Sequence, residues 1–196
     1  MERTGSVALV SIMVSLLLLS CSSTPFSRYR YEMFQGRQFY EDTDYVSARA
    51  AFLRASADER TAASLAWAAV ACYRMNELDL AERLINEARS VDRDGVPSLR
   101  IRGYKALILL SAGRTREGLE ALRDYVDLYR RLDPLMTVGE VDRMARGGQI
   151  DLKRLDHLIG EQVDQYENDI QQVYNTGTGY YGQKWETRTG MSPLSW

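Results

Sequence analysis

Residues 78–88 read LDLAERLINEA, and residues 44–55 read DYVSARAAFLRA. The two stretches align with Ala48 at Ala81, 33 residues apart, and in both the small residue comes four positions before a large apolar one. Two antiparallel helices that pack closely need a small residue where they cross, and a large residue one turn later to fill the space. The pattern therefore predicts a repeated pair of helices.

A third copy follows at residues 113–125, which read GRTREGLEALRDY. Here Gly118 aligns with Ala81 at a distance of 37 residues, and the four extra residues fit the turn at 94–97. The stretch 30–174 is rich in Ala, Leu, Arg and Glu, and it lacks the alternation of β-branched residues that strands show. The sequence therefore predicts an all-α fold.

The repeat resembles the tetratricopeptide repeat (TPR), a helix-turn-helix unit of about 34 residues that stacks into a solenoid. The positions that match the family's core are Gly36, Phe39, Tyr45, Ala48, Phe52 and Ala55 in the first unit, and Leu65, Ala68, Ala69, Cys72, Leu78, Ala81, Ile85 and Ala88 in the second. Asn76 stands where the family usually has the glycine of the turn. The resemblance implies a TPR-like solenoid of about three repeats over residues 29–132, and an unrelated bundle of amphipathic hairpins is the alternative.

A different pattern follows the repeats after Pro134. A short helix is predicted near 140–146, and a long one over 151–174, where apolar residues recur with a mean step of 3.5 at Leu152, Leu155, Ile159, Val163, Tyr166, Ile170 and Val173. A solenoid needs a terminal element over its last repeat, so we expect residues 133–174 to form a C-terminal helical cap. Self-association through the same seam is the alternative. Residues 175–196, with several glycines and aromatic residues, are predicted to form an irregular tail.

The N-terminus has the features of a signal peptide. Residues 7–19 are mostly apolar, and the stretch LLSC that ends at Cys21 resembles the bacterial lipobox, whose cysteine is acylated and becomes the mature N-terminus. The resemblance implies a signal peptide at 1–20, a lipidated linker at 21–28 and a membrane-anchored lipoprotein. Ser22, in place of the Asp that resembles an inner-membrane retention signal, favours the periplasmic face of the outer membrane. An uncleaved anchor and ordinary secretion are the alternatives.

Composition and motifs argue against catalysis. The formal net charge of −2 is too small to drive binding to nucleic acid. Fragments of a dinucleotide motif at 177–182, of a calcium loop at 90–95 and of a metal site at His157 and Glu161 each lack the context or the ligands that they need. Cys72 is expected to pack as a small apolar residue. We therefore expect no enzyme, no metal and no cofactor, and a peptidoglycan-acting enzyme is the remaining catalytic alternative.

The predicted solenoid indicates a function in protein–protein interaction, because stacked helix pairs form an extended concave face. By the resemblance, the residues on that face come from the first helix of each unit: Arg30, Met33, Arg37, Tyr40, Ala66, Val70, Tyr73, Arg74, Arg100, Gly103 and Leu107. Its arginines suit acidic peptide segments. The expected partner is an envelope protein or peptide, in outer-membrane barrel assembly or a pilotin-like role. An accessory role to a substrate-binding transporter is the alternative, and a homo-oligomer through the 151–174 helix is a further expectation.

Overall fold

The fold is all-α. The computed structural model describes residues 25–93, 95–147, 149–181, 183 and 184, and within them every regular element is a helix. In chain order the helices are α1 (Pro25–Glu41), α2 (Tyr45–Asp58), α3 (Ala62–Arg74), α4 (Leu78–Val91), α5 (Ser98–Ser111), α6 (Thr115–Arg131), α7 (Gly139–Ala145) and α8 (Leu152–Thr176). The fold class predicted from the sequence is confirmed.

The first six helices pack as three successive hairpins. α1 packs against α2, α3 against α4 and α5 against α6, and each hairpin meets the next through α2 with α3 and through α4 with α5. This is a helix-turn-helix solenoid of three repeats, as predicted. α1 begins at Pro25, four residues before the predicted start of the repeats, since proline at the first helical position has a φ that suits a helix start. The helix therefore includes the second half of the predicted linker at 21–28.

The small residues of the repeat lie at closely packed positions within each hairpin. Ala48 and Ala81 are fully buried. At Gly118, an added Cβ atom would lie only 2.6 Å from the Leu110 Cγ atom of the preceding helix. The large residues one turn later are also fully buried, namely Phe52, Ile85 and Leu122. The spacing of the repeat therefore reflects close packing between paired helices.

Each hairpin turns at an equivalent position. Thr43, Asn76 and Gly113 have φ angles of 62°, 60° and 76°, and they are separated by the same 33 and 37 residues as the crossing positions. The left-handed conformation suits glycine best and asparagine next, whereas a β-branched threonine is strained there. Asn76 thus forms the turn of the second hairpin in a conformation that asparagine tolerates.

The last two helices pack onto different helices of the third hairpin. α7 packs against α6, while α8 packs against α5 and also contacts α7. The Asp151 carboxylate accepts a hydrogen bond from the backbone N–H of Arg154 at 3.0 Å, in the manner of an N-cap. Five residues of the predicted seam are buried, whereas Leu152 is 38% exposed; the buried ones are Leu155, Ile159, Val163, Tyr166 and Ile170. The seam is therefore occupied within the chain, where α8 caps the third repeat through α5.

Candidate interaction surface

The first helices of the three hairpins share one face of the solenoid, which we call the groove face. On it, the Arg74 guanidinium of α3 donates a hydrogen bond to the Tyr40 hydroxyl of α1 at 2.9 Å and another to the Tyr104 hydroxyl of α5 at 3.3 Å. The Trp67 ring of α3 lies 5.3 Å from the Tyr40 ring and 3.7 Å from the Arg100 guanidinium of α5. Residues of three repeats therefore form one continuous surface, and α8 lies across its C-terminal part.

Arg100 holds α8 against the groove face. Its Nε and Nη2 atoms donate hydrogen bonds to the two carboxylate oxygens of Glu167, and Nη2 also donates to Asp164, all at 2.9 Å. Since the Arg100 side chain is only 2% exposed, this is a buried bidentate pair. Burial by itself would lower the pKa of Arg100, but the charges of Glu167 and Asp164 outweigh it, so the pKa is raised above its ordinary value. The buried charge thus depends on α8 for its compensation.

Arg74 makes a second link to the same helix. In addition to its hydrogen bonds with Tyr40 and Tyr104, Arg74 forms an ion pair with Asp156 near the start of α8. Burial opposes the charge of Arg74, but the neighbouring Tyr104 and Asp156 outweigh burial and raise its pKa. One guanidinium therefore connects α1, α3, α5 and α8.

The contact between α8 and α5 is also close in its apolar part. An added Cβ atom at Gly103 would lie 2.6 Å from the Ile159 Cγ2 atom, so α8 lies almost against the backbone of α5. The buried Gln162 side chain accepts a hydrogen bond from the Tyr125 hydroxyl at 2.7 Å and donates one to the Thr137 carbonyl at 2.9 Å. α8 is therefore an integral part of the core.

The structure divides the predicted groove residues into two groups. The members that are buried are Met33, Ala66, Val70, Arg100, Gly103 and Leu107. Val70 and Leu107 are fully buried, so they contribute to the core and offer no surface to a partner. The members with exposed or partly exposed side chains are Arg30, Arg37, Tyr40, Tyr73 and Arg74. Helix α8 binds Arg100 through Asp164 and Glu167, which lie 64 and 67 positions further along the chain. Local periodicity in the sequence carries no information at such separations.

None of the described helices covers the N-terminal part of the groove face, and we call Arg30, Phe34, Arg37 and Trp67 the open strip. The Arg37 guanidinium lies 5.6 Å from the centre of the Trp67 ring, and Phe34 is 58% exposed. Within the described part of the chain, neither Arg30 nor Arg37 forms an ion pair. Phe34 and Trp67 are not among the groove residues predicted from the sequence, although the 33 residues that separate them equal one repeat and relate the two positions.

The residues of the weaker motifs have ordinary surroundings. Asp92 accepts a hydrogen bond from the Gly95 backbone N–H at 3.0 Å and so shapes the turn before α5. Cys72 is buried, and its burial raises the pKa of the thiol. His157 and Glu161 lie 3.4 Å apart on the exposed side of α8. Among the residues that the structure describes, no group of three or more His, Cys, Asp or Glu side chains is arranged to hold a metal ion.

The described part of the C-terminal tail packs back onto the fold. The Asp169 carboxylate of α8 accepts hydrogen bonds from the backbone N–H groups of Tyr180 at 3.1 Å and Tyr181 at 2.6 Å. Tyr181 is 3% exposed, and its hydroxyl accepts a hydrogen bond from the Leu135 backbone N–H at 2.6 Å. Tyr181 therefore ties the tail to the loop that follows α6, while 185–196 lie outside the described residues.

No family model, no curated protein and no solved structure matches this chain. None of the described helices has the length and apolar character needed to cross a membrane. Cys21 and the predicted signal peptide lie outside the described residues.

Proposed function

We propose that this protein is a membrane-anchored lipoprotein that serves as a protein–protein interaction scaffold in assembly of the cell envelope. The observation that carries the proposal is the open strip, which combines exposed Arg30, Phe34 and Arg37 with the half-buried Trp67 ring. It adjoins a part of the same face where arginines already bind acidic side chains. Aromatic residues and arginine are enriched where proteins bind one another, and they supply most of the binding energy there.

Two members of the open strip, Trp67 and Arg37, are held in place by packing. The Trp67 ring stacks on Phe52 at 5.5 Å and meets Tyr40 edge-on at 5.3 Å. Arg37 lies over the same tryptophan at 5.6 Å. A surface whose side chains are already ordered loses less conformational entropy when a partner binds. This preorganisation supports a binding function.

The position of the open strip also fits an anchored protein. Cys21 precedes Pro25, the first residue of α1, by four positions, a stretch that spans at most about 14 Å. Acylation of Cys21 would therefore hold α1, and with it Arg30 and Phe34, near the membrane surface. Several acyl chains are enough for stable anchoring. These features support a partner within the envelope, close to the membrane that holds the lipid.

The lipid anchor is tested by the mass and partitioning of the purified protein. We expect the wild-type protein to carry the mass of the acyl groups and to enter the detergent phase, and Cys21→Ser to lack this mass. Cys72→Ala is the matched control, because it changes the other cysteine and should leave acylation intact. A Cys21→Ser protein with unchanged mass and full detergent partitioning would refute the anchor.

The scaffold function is tested by photo-crosslinking in cells. A photoreactive residue at Phe34 should capture an envelope protein, while the same residue at Glu120, an exposed position on α6, should not. Arg30→Gln with Arg37→Gln should reduce the yield from Phe34. Capture of a periplasmic substrate-binding protein would instead support the transporter-accessory function, and equal yields at both positions would count against use of the open strip.

A further inference from the structure

We infer that the open strip binds an amphipathic helix that carries two carboxylates three residues apart, in the way that α5 binds α8. This inference rests on the proposed scaffold function and names the element by which the partner is recognised. The chain itself contains such a complex, because its own α8 packs against α5. Part of the α5 surface that binds α8 is repeated on α1.

The repeat relates the two surfaces residue by residue. Arg30 and Arg100 are 70 residues apart, and so are Phe34 and Tyr104, which equals the two repeat steps of 33 and 37 residues. On α5, the Arg100 guanidinium lies 5.8 Å from the Tyr104 ring and binds the carboxylates of α8. α1 therefore carries an arginine and an aromatic residue at the same two repeat positions, although the ring that the Arg30 guanidinium contacts is that of Phe26, at 5.9 Å.

The bound example defines what the partner must offer. Asp164 and Glu167 are three residues apart in α8, so they project from one side of the helix and both reach Arg100. Val163 and Ile159, on the adjoining side, are fully buried against the solenoid. A ligand for the open strip should accordingly combine an acidic pair with apolar residues on the neighbouring side of one helix.

The charges on α1 favour an acidic ligand. Glu32, on the same helix as Arg30, is engaged with Arg54 of α2 at 2.9 Å and is not available to neutralise the strip. Arg30 and Arg37 are exposed, and no carboxylate among the described residues pairs with them. Carboxylates on a partner helix would therefore complete the charge pairing that α8 provides on α5.

One difference between the two surfaces sets the strength of binding. The position of Gly103, where Ile159 approaches the backbone of α5, is occupied on α1 by Met33, 70 residues earlier. A methionine keeps an incoming helix further from the backbone than a glycine does. The partner helix would therefore sit further out than α8 and bind reversibly, mainly through Arg30, Phe34 and Arg37.

The test uses a labelled peptide with the sequence of residues 152–176 and the full-length protein in detergent micelles. Fluorescence anisotropy should show binding to the wild-type protein. Binding should weaken by about tenfold or more when the peptide carries Asp164→Asn and Glu167→Gln, and similarly when the protein carries Arg30→Gln and Arg37→Gln. Arg116→Gln, which changes an exposed arginine on α6, is the matched control and should leave binding unchanged.

Several results would overturn the inference. The inference is wrong if the wild-type protein does not bind the peptide, or if the neutralised peptide binds equally well. It is also wrong if peptide binding is lost in a folded Arg100→Gln protein but kept in the Arg30→Gln and Arg37→Gln protein. The last would mean that the peptide exchanges with α8. If the Arg30→Gln and Arg37→Gln changes spare peptide binding but reduce association with phosphatidylglycerol vesicles, the strip faces lipid and the inference is wrong. The acyl mass on Cys21 and the crosslinks from Phe34 report on the proposed function separately.

Discussion

The two halves of the groove face use the same types of side chain and differ in what lies over them. In the C-terminal half, Arg100 and Arg74 are bound by carboxylates of α8, and Arg100 is only 2% exposed. In the N-terminal half, Arg30 and Arg37 are exposed. The comparison shows that the arginines of the groove face are buried or half-buried and paired where the acidic helix α8 lies over them, and exposed where none of the described helices does.

Removal of α8, which covers the C-terminal half of the groove face, should have the largest effect on stability. Deletion of residues 150–196 would expose the apolar surface of α5. It would also leave the Arg100 charge, still partly buried, without the carboxylates of Asp164 and Glu167. We expect a strongly lowered melting temperature or aggregation, measured by thermal unfolding and sedimentation. If the seam instead mediates a dimer, the shortened protein should remain soluble while its sedimentation mass falls by more than half. An unchanged melting temperature would mean that α8 does not stabilise the C-terminal half of the groove face.

Neutralising one carboxylate at a time should separate buried from exposed charge. Glu167 is 17% exposed and binds Arg100 through both oxygens, whereas Asp164 is 58% exposed. We expect Glu167→Gln to cost about 2–4 kcal/mol of unfolding free energy, and Asp164→Asn to cost less than about 1 kcal/mol. Chemical denaturation of the two variants measures the difference. Equal losses would show that the Arg100 charge is not compensated mainly by Glu167.

Replacing either of two glycines near the contact between α5 and α8 by alanine should change stability in opposite directions. Gly103→Ala places a Cβ atom 2.6 Å from Ile159 and should cost about 1–3 kcal/mol by pushing α8 outward. Gly160→Ala, on α8, places its Cβ atom no nearer than 3.9 Å to the Tyr104 hydroxyl, and it should stabilise the helix by roughly 0.5–1 kcal/mol. Thermal unfolding of both variants tests the close approach, which would be refuted if Gly103→Ala had no effect.

The covered half should also be sensitive to alkaline pH. Burial raises the pKa of Tyr104 above its ordinary value of 10.0. The unfolded chain therefore releases this proton first, so the stability that is fully present below pH 10.0 falls as the pH rises towards the raised pKa of the folded state. We expect Tyr104→Phe to reduce the slope of unfolding free energy against alkaline pH by up to about 1.4 kcal/mol per pH unit. Tyr31→Phe, at an exposed position of α1, should leave the slope unchanged.

Changes in the open strip should have the smallest effect on stability. Arg30 makes no ion pair within the described residues, and Arg37 lies over Trp67 at 5.6 Å. We expect Arg30→Gln and Arg37→Gln each to cost less than about 1 kcal/mol, since an exposed cation–π contact contributes little. The same thermal-unfolding measurement applies. A large loss would mean that these arginines serve the fold, which would remove the contrast between the two halves.

The solenoid could be predicted because its signals are local or periodic. Ala48, Ala81 and Gly118 recur at repeat spacing, and each is required by a packed crossing within one hairpin. The binding surface could be predicted only in part. Val70 and Arg74 both lie on α3. The burial of an apolar valine is expected from its residue type, whereas the pairing of Arg74 with Asp156 of α8 depends on a residue 82 positions away.

Local patterns in the sequence account for the helical repeat, the hairpin turn at Asn76 and the apolar seam of α8, because each depends on residues within one or two helical turns or one repeat of each other. The surface on which the seam packs depends instead on contacts between residues far apart in the chain. Arg100 pairs with residues 64 and 67 positions away, and Arg74 with one 82 positions away. Such pairs depend on the angle at which the last helix returns across the solenoid, and that angle is set by how side chains such as Ile159 fit the surface at Gly103.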